Sequence, residues 1–493
     1  MAWLLFLVTW LVLFFALPGV LLKGACLVMY SVFAPWLSGL VSVDVLCCTH
    51  AVPSVLAQRQ QERLQALLRG AMNNSPFYRE HLAGMVPAHT RLQDLPSVGK
   101  AQLMARFEDW VTDPDIHWAD VQALLTDTSR MAEPYLGRYL VWESSGTTHQ
   151  PGVFLQDAPS LGVYDALQAL RRSDPNPWQR SLDPFWLTER IAFVGATEGH
   201  FASVVSMLRL GQLNPCLAQS QRRLSIMQPL EALLDELNAF EPSVIATYPT
   251  VAALLAEQAR RGALHFSPRE VWTGGETLSD AVRHTVQTSL GCTVRNSYGA
   301  SEFLTLAWEC SHGHLHANSD WVILEPVDQQ GQPVAPGTPS YTTLLTHLAN
   351  QVQPLIRYDL GDQLTVHLER CACGSHLPVI EVLGRHDDVL VMRNAHGQQV
   401  SLLPLALTTV LEEEAGVFDF QVRQLDARTL TLWLGETLEE GAAQRCQTAL
   451  KKYAVQQGLP QLKLQVERGH QIPKGRSGKL QRIVALASAD PTS

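Results

Sequence analysis

The chain has 493 residues, 46% of them apolar and 17% charged, so it must fold around more than one hydrophobic core and is not a disordered polymer. A formal net charge of −10, with no basic stripe carrying interleaved aromatics, argues against a nucleic-acid surface. Nine cysteines, an odd number without the dense spacing of a secreted disulfide framework, suggest a reducing compartment.

The most apolar stretch comes first. Met1 to Val43 carries one charge, Lys23, between the runs Ala2 to Leu22 and Gly24 to Val43. Each run is near the roughly 20 residues that cross a bilayer. No basic segment precedes them and no clear small-residue cleavage site follows, which argues against a secretory signal. Two spans with Lys23 outside would leave the remainder in the cytoplasm. A single amphipathic or re-entrant segment is the alternative, because Pro18-Gly19 and Pro35 interrupt the runs, and translated upstream sequence is the blander one. Arg59, Arg63 and Arg69 fit a cytoplasmic continuation. Residues 1–50 are therefore expected to form a membrane-associated extension.

From Leu56 to Met72, apolar positions at helical spacing indicate a surface helix, ended by Asn73-Asn74-Ser75-Pro76. Glu143-Ser144-Ser145-Gly146-Thr147-Thr148 follows. Its hydroxyls and unencumbered backbone N–H groups are what anionic oxygens require, so it is the candidate phosphate loop. Ile191 to Gly195 and Val244 to Tyr248 read as buried strands, with helices at Leu230 to Phe240 and Val251 to Arg261, which implies a parallel sheet covered by helices. Tyr248-Pro249 closes a strand at its carboxyl end, where open α/β sheets bind ligands. Val271 to Glu276 is a strand running into a Gly-Gly turn, and Ser297-Tyr298-Gly299-Ala300-Ser301-Glu302 repeats the arrangement one strand later. Cys310, His312, His314 and His316, then Cys371 and Cys373, supply thiolates and imidazoles at the short spacings of a structural zinc site; Cys310, His316, Cys371 and Cys373 are the chosen ligands, with the other histidines in reserve. Strands at Asp419 to Leu425 and Thr429 to Leu434 and a helix at Glu439 to Gln457 form a small α+β domain.

Taken in order, Trp272 to Glu276, Ser297 to Phe303, Arg357 to Asp362, Gly384 to Asp388, the loop at Glu143 to Pro151 and the terminal Lys479 resemble the adenylate-forming (acyl-CoA synthetase) superfamily. Within it the chain is similar to the phenylacetate–CoA ligase-like branch, over roughly Leu56 to Ile483. The resemblance implies an α/β fold: a large adenylation domain at 51–385 and a small mobile α+β lid at 386–493. It places Ser144, Ser145, Gly146, Thr147 and Thr148 at the phosphates, with Ser301 by the α-phosphate. Gly275, Glu276, Tyr298 and Gly299 lie against the adenine. Asp362 takes the ribose hydroxyls, and Arg385 contacts the nucleotide. Glu302 holds Mg2+, Lys479 is catalytic, Asp387 is the hinge, and Tyr248 and Ala300 wall the acyl pocket. Zinc at the four cysteine and histidine ligands is the possible structural metal.

The reaction implied is ATP-dependent activation of an organic, favourably aromatic, carboxylic acid as its acyl-adenylate, followed by transfer to coenzyme A. Two features depart from the family pattern. His149-Gln150 replaces Gly-Lys after the threonines, and Asn394 to Val400, near the pantetheine tunnel, matches weakly. Alternatives are transfer to an acyl carrier protein's pantetheine or to an amine or nucleotide, and a non-catalytic membrane-bound relative.

Overall fold

The structure is a computed structural model. It describes residues 35–87, 90–144, 151–171, 189–213, 215–226, 228–385, 389–402, 404–436, 438–439, 441–473 and 481–486. Residues 1–34, 145–150, 386–388 and 474–480 lie outside the described residues, and with them Ser145, Gly146, Thr147, Thr148, Asp387 and Lys479; the Arg385 side chain is likewise undescribed.

Two helices come first, α1 (Pro35–Thr49) and α2 (Pro53–Asn74). Pro53 occupies the first turn of α2, where a missing N–H leaves no bond unmade. Leu56, Leu64, Leu67, Leu68 and Ala71 line its buried face, as the helical spacing required.

Helix α1 corrects an expectation. It takes up Pro35 to Val43, the second half of the apolar run expected to span a bilayer, and packs against the globular domain. Val45 and Cys48 are buried, and Asp44 pairs with Arg63 of α2. Among the described residues no helix is long and apolar enough to cross a membrane. Residues 35–49 thus form part of the large domain and not of a separate extension. An apolar window cannot tell a span from a helix buried against its own domain.

Strands β1 (Leu140–Glu143) and β2 (Val153–Gln156) form a fully buried antiparallel hairpin whose connection is the candidate phosphate loop. Its base is closed by Ser144 N–H to the Gly152 carbonyl at 2.7 Å and Gly152 N–H to Ser144 Oγ at 2.8 Å. Helix α3 (Ala158–Leu170) follows, capped by Asp157, whose carboxylate accepts the Ser160 N–H.

The alternating segment is β3 (Ile191–Gly195), α4 (Ala202–Leu213), β4 (Gln221–Ser225), α5 (Leu230–Phe240), β5 (Val244–Thr247), α6 (Pro249–Arg260), β6 (Glu270–Thr273), α7 (Asp280–Leu290) and β7 (Thr293–Tyr298). Its strands pair in parallel in the order β4-β3-β5-β6-β7. Next come β8 (Ala307–Glu309), β9 (Leu315–Ala317), β10 (Val322–Val327), β11 (Thr342–His347), β12 (Tyr358–Asp359), β13 (Asp362–His367) and β14 (Val379–Arg385). β8, β9, β14 and β13 extend the same sheet antiparallel to nine strands, while β10, β11 and β12 form a separate three-stranded sheet.

The C-terminal part has its own core. β15 (Leu390–Arg393) and β16 (Gln399–Leu402) form a hairpin; β17 (Phe420–Asp426), β18 (Thr429–Leu434), β19 (Lys463–Arg468) and β20 (Ile483–Val484) form a sheet in the order β19-β18-β17-β20. Helix α8 (Ala442–Gln456) covers it with Cys446, Leu450 and Ala454. The buried Glu412 links the two parts, accepting from Ser279 Oγ at the start of α7 and pairing with Arg482.

Candidate active site

A cleft of about 1690 Å3 runs along the carboxyl ends of β5, β6 and β7 and reaches the C-terminal part at Arg482. Parallel strands leave their carboxyl ends free of sheet closure, so turns there can present backbone and side chains to a ligand. Ser144, Tyr248, Gly275, Glu276, Tyr298, Gly299, Ala300, Ser301, Glu302 and Asp362 all line it. Sequence motifs separated by more than 200 residues are thereby brought to one place.

The turn after β7 is closed on itself: Ala300 N–H bonds the Phe303 carbonyl at 3.0 Å and Phe303 N–H bonds the Ala300 carbonyl at 3.2 Å. Gly299 is required by a close approach, since a Cβ there would lie 2.0 Å from the Leu304 carbonyl oxygen. Trp142 Nε1–H donates to the Ser301 carbonyl at 2.8 Å, and the Tyr358 hydroxyl donates to Glu302 Oε1 at 2.9 Å. Beneath the turn, Phe303 is fully buried against Tyr164, whose hydroxyl meets His347 Nε2 at 2.8 Å. His347 Nδ1 accepts the Ala349 and Asn350 N–H groups, and burial pushes this imidazole down to about 3. It is neutral, and its role is to brace the glutamate turn.

Tyr298 lies across the cleft wall, its hydroxyl donating to Asp362 Oδ2 at 2.6 Å. The phenol thus fixes the carboxylate assigned to the ribose. Gly275 adopts φ +78°, a left-handed turn suited to glycine. Glu276 is turned toward α6, where its Oε2 accepts the Thr250 N–H at 3.1 Å; its buried Oε1 has no hydrogen-bond partner among the described residues. Tyr248 at the end of β5 lines the cleft beside it, its hydroxyl pushed up to about 12 by burial.

Two side chains gained a role that sequence reading had not given them. Tyr358 and Trp142 hold the Ser301-Glu302 turn; Tyr358 lies inside the Arg357 to Asp362 stretch already singled out, and Trp142 immediately before the Glu143 loop. Arg357, adjacent to Tyr358, sits at φ +50° with its buried guanidinium on Glu325 and on the Gln93 and Leu95 carbonyls, which anchors β12.

The four chosen cysteine and histidine ligands do come together, their ligand atoms all within 4.8 Å of one another. Cys310 Sγ lies 3.8 Å from Cys371 Sγ, and Cys373 Sγ lies 3.4 Å from His316 Nε2. Zinc–sulfur and zinc–nitrogen bonds of about 2.3 and 2.0–2.1 Å give tetrahedral edges of roughly 3.8 Å for S···S and 3.6 Å for S···N. His316 Nδ1 sits 2.8 Å from the Leu377 carbonyl, which fixes Nδ1 as the protonated nitrogen and leaves Nε2 toward the cluster. The donor set fits a zinc ion. His314, one of the reserve histidines, touches Cys371 at 3.3 Å. Burial pushes the Cys371 thiol up, but hydrogen bonds from His314, Cys373 and His316 outweigh it and hold it at about 5. The cluster ties the β8–β9 turn to the segment before β14, at the flank of the cleft.

No family model matches the chain. It is 28% identical over 373 residues to a phenylacetate–coenzyme A ligase of Thermus thermophilus, covering 71% of this chain and 76% of that one. With a phenylacetate–coenzyme A ligase of Pseudomonas putida it shares 24% over 360 residues, 69% and 73% of the two chains. Among solved structures, a 2-hydroxyisobutyryl-CoA ligase in its postadenylation state superposes with a TM-score of 0.67 at 18% identity, covering 89% of this chain and 91% of that one. In sequence the chain is similar to these two phenylacetate–coenzyme A ligases, and its fold is that of the 2-hydroxyisobutyryl-CoA ligase structure.

Proposed function

We propose that this protein is an AMP-forming acid–coenzyme A ligase that activates an organic carboxylic acid, an aromatic one in its narrower form. The observation that carries this reading is the convergence of the Gly275, Tyr298, Glu302 and Asp362 turns on one cleft at the carboxyl ends of parallel strands. Aromatic and aliphatic side chains on the wall, Phe193, Phe201, Met207 and Leu210, support an aromatic acyl group.

In the first step a substrate carboxylate oxygen attacks the α-phosphorus of ATP. The bond to the bridging oxygen breaks, and pyrophosphate leaves with the electron pair. No protein nucleophile is needed, so catalysis consists of positioning and charge stabilisation. Asp362, steadied by Tyr298, accepts from the ribose hydroxyls; Glu302, steadied by Tyr358, is the carboxylate that would hold magnesium, which neutralises phosphate charge when bound. The candidate phosphate loop starting at Ser144 supplies donors to the phosphates, and Lys479 supplies a cation. In the second step the coenzyme A thiolate attacks the acyl carbon and AMP leaves. The hinge at Asp387 admits the thiol by moving the lid.

The Cys310, His316, Cys371 and Cys373 cluster binds structural zinc in this reading. Purified protein would carry about one zinc per chain, and Cys310→Ser would lose it; a wild type that binds no zinc after dialysis against it would remove the metal from the scheme.

The test is ATP–pyrophosphate exchange over a panel of aryl and aliphatic acids. Exchange dependent on one acid class, lost in Lys479→Ala, is expected. No exchange with any acid would refute the proposal.

A further inference from the structure

We propose that the outer face of α1, continued by the start of α2, is a docking surface for a lipid bilayer. The chain buries one side of α1 and leaves the other apolar. At about 100° per residue, Ser42, Val45 and Cys48 fall on one side, and Leu40, Val43, Leu46 and Cys47 within an opposite arc of about 120°. The first set is buried, whereas Leu40 is 67%, Val43 37% and Leu46 40% exposed. Beyond the helix, Val52 and Val55 are 52% and 43% exposed. Five of the fourteen exposed large apolar side chains among the described residues thus fall within sixteen positions, whereas the others are scattered. Single exposed apolar residues need no explanation, but a contiguous set does.

The surface carries almost no charge to oppose this. Between Pro35 and Val55 the only acid is Asp44, and it turns inward to Arg63 and Arg59. A helix apolar on all sides is normally covered on all sides.

Sequence composition decides what covers it. Residues 1–34 lead directly into α1 and contain a single charged side chain, Lys23. Folding that segment over the face would replace one exposed apolar surface by another, and pairing two copies through α1 would leave the segment uncovered. A bilayer covers both at once. The inner side of α1 packs on α3, whose Asp165, Gln168 and Ala169 line the cleft. The docked membrane would therefore lie two helix layers, about 20 Å, from the site. The surface is independent of which reaction the cleft performs.

The full chain, incubated with phosphatidylcholine vesicles carrying a photoactivatable acyl chain, provides the test. After illumination and digestion, lipid adducts are expected on peptides covering 40–55. In the triple variant L40S/V43S/L46S these adducts should fall about tenfold relative to adducts elsewhere in the chain, with an unchanged denaturation midpoint. Adducts confined to residues 1–34, adducts nowhere, or a variant labelled like the wild type at 40–55 would each overturn the proposal. A protein that covers the face with its own segment or with a second copy gives the first of these results.

Discussion

Replacing Gly299 by alanine tests whether the turn bearing Glu302 must keep its shape. The added Cβ would sit 2.0 Å from the Leu304 carbonyl oxygen and 2.9 Å from its carbon, both backbone atoms. Ordinary contact begins near 3 Å, so the turn or the Leu304 peptide must move by about 1 Å. No side-chain rotation relieves the clash. A 1 Å displacement of a positioning element costs about 100-fold in rate, or about 2.7 kcal/mol of barrier. Ala300, Ser301 and Glu302 move as a unit because the turn is closed at both ends by backbone bonds. The assay is acid-dependent ATP–pyrophosphate exchange, with urea denaturation to confirm folding. Gly274→Ala is the control. Its Cβ meets the rotatable Ser297 Oγ at 2.9 Å and the Ser297 carbonyl oxygen at 3.2 Å, so it should cost the hydroxyl's bond to the Thr273 carbonyl and a backbone shift of a few tenths of an ångström, about 1 kcal/mol of stability in all. Gly299→Ala exchanging within threefold of wild type would refute the reasoning.

Three further outcomes are expected. Tyr358→Phe removes the hydroxyl that fixes Glu302 and should raise the magnesium concentration for half-maximal exchange about tenfold; an unchanged magnesium curve would show that the pair is incidental. Arg171 and Asp320 have fully buried side chains joined by bidentate bonds of 2.6 and 2.7 Å, with Asn318 on the same guanidinium, so Arg171→Met should cost about 3–5 kcal/mol by leaving Asp320 uncompensated. Adding Asp320→Leu should restore most of it, and a double variant as unstable as the single would contradict the pairing argument. His347 is held down at about 3 while an unfolded imidazole titrates near ~6.5, so below that value the unfolded state binds the extra proton. Its stability contribution is full above pH ~6.5 and is lost downward toward the folded value, about 2 kcal/mol between pH 7.5 and 5. The urea midpoint of His347→Gln should fall correspondingly less over that range, and equal falls would contradict the assignment.

Much of the fold was legible because its strands are short, apolar and separated by amphipathic helices. Between Ile191 and Tyr298 the strands β3, β5 and β6 and the helices α5 and α6 were read, whereas α4, β4 and α7 were not, and the β18 boundaries match the expected Thr429 to Leu434. The antiparallel half of the large sheet was not read, because β8 and β9 are three residues each and the pairing of β9 with β14 depends on chain more than 60 residues away. Zinc-type ligands were legible from residue chemistry alone, since few other arrangements gather three thiols and an imidazole. Helix α1 misled because apolar content reports a need for cover without naming the cover. The contact between Tyr358 and Glu302 was invisible for another reason: a tyrosine in a polar motif has no local signature of the carboxylate it will meet.

The central claim is that a carboxylate oxygen of the acid attacks the α-phosphorus. It is tested most directly with acid labelled in both carboxylate oxygens with oxygen-18, turned over with ATP and coenzyme A, and mass analysis of the nucleotide product. One oxygen-18 in the phosphate of AMP, with the other in the thioester carbonyl, is the expected result. Unlabelled AMP, or label in inorganic phosphate alongside ADP, would contradict adenylate formation and with it the roles given to the cleft.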